Sequence, residues 1–279
     1  FPHLATKSAA RAAVKRGDIL VDGVADTAHD TPAPAAGARL TARVGKAEKL
    51  PHGLEEKLER WNASRAARPE AQIRVLFHDP DVGWAVVNKP PEMHSSPCGF
   101  NNSLLTFETY LPALLAPPLR GTRRGRPAVA HRLDFRVAGP MVVATSVEAL
   151  REIRRLFEER QVRKEYRAIV CGAVGEPGER FEVDAPLDGL PSRTGVEVLR
   201  VVPCRYYGSL SELALRPVHG RFRQLRRHCA EVLGAPIMGE EQAAYEAARP
   251  LFESRQGRQL PEANENRHKG TLFLQAVEV

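Results

Sequence analysis

Alternation of apolar and polar positions is strongest between residues 71 and 279. Short runs at Val75–His78, Trp84–Asn88, Met141–Thr145, Glu165–Cys171, Glu212–Pro217 and Thr271–Val277 predict β-strands. In one of them Leu213 and Leu215 alternate with Ala214 and Arg216, the period-two pattern of a half-buried strand. Two segments instead have the helical period. After Ser146, a suitable N-cap, Leu150, Ile153, Leu156 and Phe157 fall on one face. Between Gly220 and Gly234, a helix over Arg221–Leu233 would turn Leu225, Cys229, Val232 and Leu233 inward. Strands and helices mix without strict βαβ order and without an internal repeat, so the fold class is α+β. Residues 112–128, rich in Pro, Gly and Arg, read as a loop, and the polar stretch 249–270 as a second one.

The N-terminal part reads differently. Thr6 can cap a helix over Lys7–Arg16 that stops at Gly17. A short strand Ile19–Val21 follows, then Asp22-Gly23, a hairpin turn in which glycine takes the positive φ, and a further strand over Leu40–Val44. Residues 1–45 are therefore expected to form a small module. Residues 46–70, charged and alanine-rich, are expected to be a helical connector, and residues 71–279 the main domain.

Charge sharpens this picture. The chain carries a formal +7 and has a pI near 9.5, which favours an anionic partner, nucleic acid first. The distribution says more than the total. Arg120 to Arg136 holds six arginines and one acid, Asp134; Arg216 to His228 holds five arginines, two histidines and no acid. No apolar run approaches the roughly 20 residues needed to span a bilayer, so no membrane role is expected. The four cysteines, Cys98, Cys171, Cys204 and Cys229, form no CxxC pair, so neither a structural zinc site nor a disulfide framework is expected. A reducing intracellular compartment, cytoplasm or organelle, agrees with that usage. The chain starts at Phe1 rather than Met, which reads as a processed or partial N-terminus, a removed targeting peptide being one source.

The candidate chemistry centres on Asp134. A lone carboxylate among arginines stays ionised, and an ionised carboxylate in a cleft can act as nucleophile or base. Taken on its own, an aspartate in a plain salt bridge is the commoner case. Likewise Tyr166 can be a core aromatic, and Arg226 a phosphate contact or a solvated helix charge. Lys89, before Pro90, reads as structural rather than catalytic.

Here a resemblance adds to the residues. His131-Arg132-Leu133-Asp134, continuing as FRVAGPMVVATS, resembles the signature of the RluA-type pseudouridine synthases. VLFHDPDVGWAVVNKPPEMHSSP, VRKEYRAIVCG, GRFRQLRRHCAEVLGAPIMGE and LFLQAVEV resemble further segments of that family, in its order. The first module resembles an S-four-like RNA-binding domain, common in the family. The resemblance implies a pseudouridine synthase fold with a central antiparallel sheet and isomerisation of uridine in structured RNA, ribosomal RNA first, without cofactor or metal. It implies Asp134 as the catalytic aspartate, Tyr166 stacking on the extruded base and helping to remove the carbon-5 proton, Arg226 pairing with Asp134, and Arg132 filling the space left in the RNA stack. Arg120, Arg123, Arg124, Arg126, Arg221 and Arg223 are expected to meet phosphates, with Lys7, Arg11 and Lys15 as RNA contacts of the first module. The sequence departs from the family pattern at Val137-Ala138 (usually Thr-Ser), at Phe222-Arg223 (usually Thr-His) and at Gln275 (usually His). These changes alter the surroundings of the Asp, Tyr and Arg trio. They leave a second expectation open, a weakly active or inactive relative serving as an RNA-binding component of a ribonucleoprotein such as an organellar ribosome.

Overall fold

The computed structural model describes residues 53–97, 105–115, 123–262 and 272–279. It also describes three short strands nearer the N-terminus and, for Arg123–Gly125, the backbone alone. The chain divides into two units, Phe1–His52 and Gly53–Val279. In the first, β1 (Ile19–Val21) pairs antiparallel with both β2 (Val24–Ala25) and β3 (Leu40–Ala42). Val21 pairs with Val24; the Asp22-Gly23 turn expected between them lies outside the described residues. The helix expected over Lys7–Arg16, with Lys7, Arg11 and Lys15, lies outside the described residues.

The stretch read as a connector is divided. Residues 46–52 lie outside the described residues, whereas its helix α1 (Leu54–Ala63) belongs to the second unit. The reason is its apolar pair: Leu54 and Leu58, four residues apart, share one face and are buried in the main core. The Asn62 amide then ties the helix to the next strand, donating to Ile73 O and accepting from Ile73 N, both at 2.9 Å.

Two antiparallel sheets build the second unit. A four-stranded sheet has the order β4-β5-β7-β6, from β4 (Arg74–Asp79), β5 (Trp84–Lys89), β6 (Arg123–Val129) and β7 (Gly139–Ser146). A five-stranded sheet has the order β12-β8-β11-β10-β9, from β8 (Glu165–Cys171), β9 (Arg180–Asp184), β10 (Arg193–Cys204), β11 (Gly208–Pro217) and β12 (Leu274–Glu278). The sheets meet where Ala138 bridges Gln275 and Ala276 N donates to Ala138 O at 2.9 Å. That approach requires glycine at 139: its φ is +137°, and a β-carbon there would collide with the Ala276 carbonyl.

A short helix α2 (Phe107–Tyr110) is followed by α3 (Val147–Glu158), whose first turn is capped by Ser146 Oγ accepting from Ala149 N at 3.0 Å. The expected helix 221–233 starts later, at α4 (Gln224–Arg227), and runs on as a π-helical turn, His228–Val232. β6, read as loop up to residue 128, pairs with β7 as an edge strand; its Pro-, Gly- and Arg-rich sequence denies the usual strand propensity, and pairing supplies it. The long loop expected at 249–270 is helical at its start, because α5 spans Gln242–Gln256 with Pro250 inside it. Tyr245, Ala248 and Phe252 from that helix are fully buried, and each large side chain contributes roughly 1.5–3 kcal/mol. This burial outweighs the amide donor that Pro250 lacks.

Candidate active site

The turn after β6, the start of β8, the loop Pro217–Arg223 and the start of α4 enclose a cleft of about 700 Å³. Among its lining residues, Arg132, Arg160, Lys164, Arg221, Arg223 and Arg226 face only two carboxylates, Asp134 and Glu158. Such a surplus of positive charge attracts phosphates.

Asp134 sits on the turn 133–137 between β6 and β7, and several groups hold that turn. Ser95 Oγ donates to Leu133 O at 2.7 Å and accepts from Leu133 N at 3.1 Å. Met93 N donates to Phe135 O and Val137 N to Asp134 O, each at 3.1 Å. The ammonium of Lys89 is fully buried and donates to Pro90 O and Val137 O at 2.8 Å and to Phe135 O at 3.4 Å. Burial pulls Lys89 down to about 7, opposed by the negative charge of Asp134. Carbonyl acceptors favour the ammonium form as well. The residues at the family's hydroxyl positions, Val137 and Ala138, are buried apolar groups. The turn is fixed by backbone, Ser95 and Lys89 instead.

Arg226 approaches from α4. Its Nη1 donates to Asp134 Oδ2 at 3.4 Å, a long hydrogen bond, across 92 positions of sequence. The opposite edge of the guanidinium is held more tightly. Its Nε donates to Glu240 Oε2 at 2.6 Å and its Nη2 to Glu240 Oε1, a bidentate pair. Arg226 and Glu240 are 7% and 2% exposed, whereas Asp134 is 35% exposed and open to the cleft. Glu240 thus compensates the buried arginine and leaves a single N–H edge for Asp134.

Tyr166 on β8 lines the same cleft. Burial first, and then the charge of Asp134, push its phenol up to about 12. The phenol form is thus favoured at neutral pH. His131 accepts from Val142 N at Nε2, 2.9 Å, and its ring stacks on Phe157 at 4.7 Å. Burial, then Lys164, lower it to about 4, so it stays neutral and buttresses the turn.

The other expected contacts divide. Arg132 is exposed at the cleft, and Arg221 and Arg223 line it. Arg126 is half-buried on β6 and does not line the cleft. Arg120 lies outside the described residues, and the side chains of Arg123 and Arg124 are not described. Sequence reasoning missed Lys164, Arg160, Ser95 and Glu240. For Glu240 a cue existed: it stands in the quoted GAPIMGE segment, but no local pattern couples it to an arginine fourteen residues earlier.

Comparison with known proteins places this geometry in a class. Residues 83–231 match the family described as RNA pseudouridylate synthase. The chain is 35% identical over 199 residues to the dual-specificity RNA pseudouridine synthase RluA of Escherichia coli, covering 65% of this chain and 82% of that protein. The chain belongs to the RNA pseudouridylate synthase family. It is also 28% identical over 244 residues to the mitochondrial RNA pseudouridine synthase 4 of Arabidopsis thaliana, 76% of this chain and 49% of that one. A further relative, RluA of Pasteurella multocida, is 36% identical over 137 residues, 44% of this chain and 59% of that one. The chain therefore spans half to three fifths of the length of these last two relatives. Human RNA pseudouridylate synthase domain containing 4 shares the fold, with a TM-score of 0.53 at 22% identity, over 80% of this chain and 85% of that one.

Proposed function

We propose that the protein isomerises uridine to pseudouridine in structured RNA. The observation that carries this reading is the pair Asp134–Arg226 at 3.4 Å in a cationic cleft that Tyr166 also lines. The cations bind the phosphates on either side of an extruded uridine. The Asp134 carboxylate meets the ribose carbon 1′ as the bond to uracil N1 breaks, and the bonding pair leaves on the base. The freed uracil turns on the face of Tyr166. Carbon 5 then bonds carbon 1′, releasing the Asp134 carboxylate, while the carbon-5 proton passes to water and N1, which carries the pair from the broken bond, takes a proton from water. The sum is an isomerisation that consumes nothing. Tyr166 offers its ring face to the turning base and helps to remove the carbon-5 proton, close enough to Asp134 to feel its charge. Arg226 keeps Asp134 ionised and aimed; Glu240 keeps Arg226 in place. Arg132, exposed beside Asp134, enters the gap left by the base.

Ribosomal RNA as substrate is supported by the name of another relative, ribosomal large subunit pseudouridine synthase D of Pasteurella multocida, 28% identical over 183 residues. The mitochondrial protein of Arabidopsis supports an organellar site of action. The alternative of a weakly active or inactive RNA-binding relative rested on the changes at Val137-Ala138, Phe222-Arg223 and Gln275 and on the added arginines; the hold of Lys89 and Ser95 on the turn answers the first of these. The test is release of tritium from RNA labelled at uridine carbon 5. Wild-type protein should release it into water in step with pseudouridine formation. Tight RNA binding without any release would contradict the reading.

A further inference from the structure

Among the described residues Phe222 is the most exposed large apolar side chain, at 72%. It stands at the rim of the cleft, between two arginines that line it, without lining it itself. The loop that carries it is tied down on both sides. Arg221 donates from Nε to Pro191 O at 3.0 Å and from its backbone N to Gln224 Oε1 at 3.1 Å. Gln224, buried, donates to Arg193 O and Thr194 Oγ1, each at 3.0 Å. On the other side, Arg223 pairs with Glu241 at 3.3 Å. Arg223 also adopts a left-handed φ of +51°, a conformation that costs a side-chain-bearing residue about 1 kcal/mol. An aromatic ring is thus displayed to solvent on an anchored, strained turn beside a cationic cleft. An exposed phenylalanine alone needs no explanation. Held rigid between arginines it has the makings of a stacking surface, because little side-chain or loop freedom remains to be lost when a base settles on it.

We propose that Phe222 is a stacking platform for an unpaired nucleobase next to the target uridine, on the strand that crosses the rim. The ring supplies a flat apolar face, and Arg221 and Arg223 hold the flanking phosphates. The Arg223 guanidinium lies over the ring, 5.3 Å from its centroid, so it backs one face and leaves the other for a base. Tyr166 serves the extruded uracil inside the cleft, so the two rings take different bases. The proposal deepens the RNA-modifying reading and rests on it for the identity of the ligand.

The experiment uses the full chain with a fluorescein-labelled oligouridylate and a labelled RNA stem–loop bearing uridines in the loop. Phe222→Ala should weaken binding about ten-fold or more, the usual loss when one base–aromatic stack is removed. Phe222→Trp should keep or tighten it, and its indole emission should be quenched by RNA. Phe222→Leu, apolar but without a π face, should behave like Phe222→Ala. Because the side chain is exposed, thermal unfolding should be unchanged in all three. Tritium release by wild type on the same stem–loop reports separately on the enzymatic reading. Unchanged affinity in Phe222→Ala, or a leucine as good as the phenylalanine, would overturn the platform whatever the tritium assay shows.

Discussion

The floor and the rim of the cleft are built on opposite rules. On the floor, Asp134, Arg226, Glu240 and Lys89 spend their polar groups on one another and on backbone carbonyls, and three of the four are buried. On the rim, Arg132 and Phe222 point into solvent, and Arg221 and Arg223 are held at one edge only. A buried network fixes a single geometry, because any unpaired member is costly. An exposed set of cations and an aromatic leaves its interactions for a partner. The floor therefore sets chemistry and the rim sets binding, and substitutions in the two places should separate rate from affinity.

The sharpest separation is expected at Asp134. Asp134→Asn is nearly isosteric but neutral. It should lower the single-turnover rate by about 10⁴-fold or more, the scale seen when a nucleophile is removed. RNA affinity should hold or rise slightly, since a negative charge near phosphates is gone. A parallel loss of affinity would erase the division between floor and rim.

Glu240 is the next largest. Glu240→Ala leaves the guanidinium of Arg226 buried without its bidentate partner, which should cost about 3–5 kcal/mol of stability in urea titrations. Glu240→Gln keeps the shape and should fold, with the rate lowered about ten- to a hundred-fold as Arg226 loses its alignment. RNA affinity should stay close to that of wild type. A variant as fast as wild type would show that Arg226 needs no clamp.

Lys89 gives a pH signature. In the folded protein its pKa falls to about 7; in the unfolded chain it returns to about 10.5. Between those values the unfolded chain holds the proton that the folded chain has lost, so unfolding takes up a proton and stability rises with pH. Below about pH 7 both states are protonated and the burial cost is present in full. The urea midpoint should therefore climb from pH 7 to pH 9, and the climb should shrink in Lys89→Met. A variant with the same slope would place the titration elsewhere.

Smaller effects are expected at the rim. Arg132→Gln or Arg221→Gln should weaken binding a few-fold and reduce the salt slope by about 0.7 for each phosphate of a single strand that the variant no longer neutralises. Arg126→Gln, away from the cleft, should change neither by as much.

How far the sequence carried can be seen from single elements. β5, β7 and β8 were legible because their apolar runs are short, alternating or β-branched, and α3 because Ser146 caps a clean helical stripe. β10 escaped although Thr194, Val196 and Val198 alternate into the core; Gly195 and Glu197 between them are both poor strand formers. β6 escaped because its residues argue against a strand and only β7 makes it one. α5 escaped because Pro250 argues against a helix that burial of Tyr245 and Phe252 sustains. At the site, Asp134, Tyr166 and Arg226 were picked out by motif, and the structure brings them to one cleft. What no motif conveyed is what holds them: Glu240 on the guanidinium, and Lys89 and Ser95 on the turn. Those side chains come from separate elements, and only the folded chain pairs them.

The most direct test is a comparison of pseudouridine maps. RNA from cells making the wild-type protein is set against RNA from cells making Asp134→Asn at equal level. A catalytic Asp134 predicts at least one uridine that is isomerised with wild type and left unmodified with the variant, while both proteins still bind that RNA. Identical maps would contradict it.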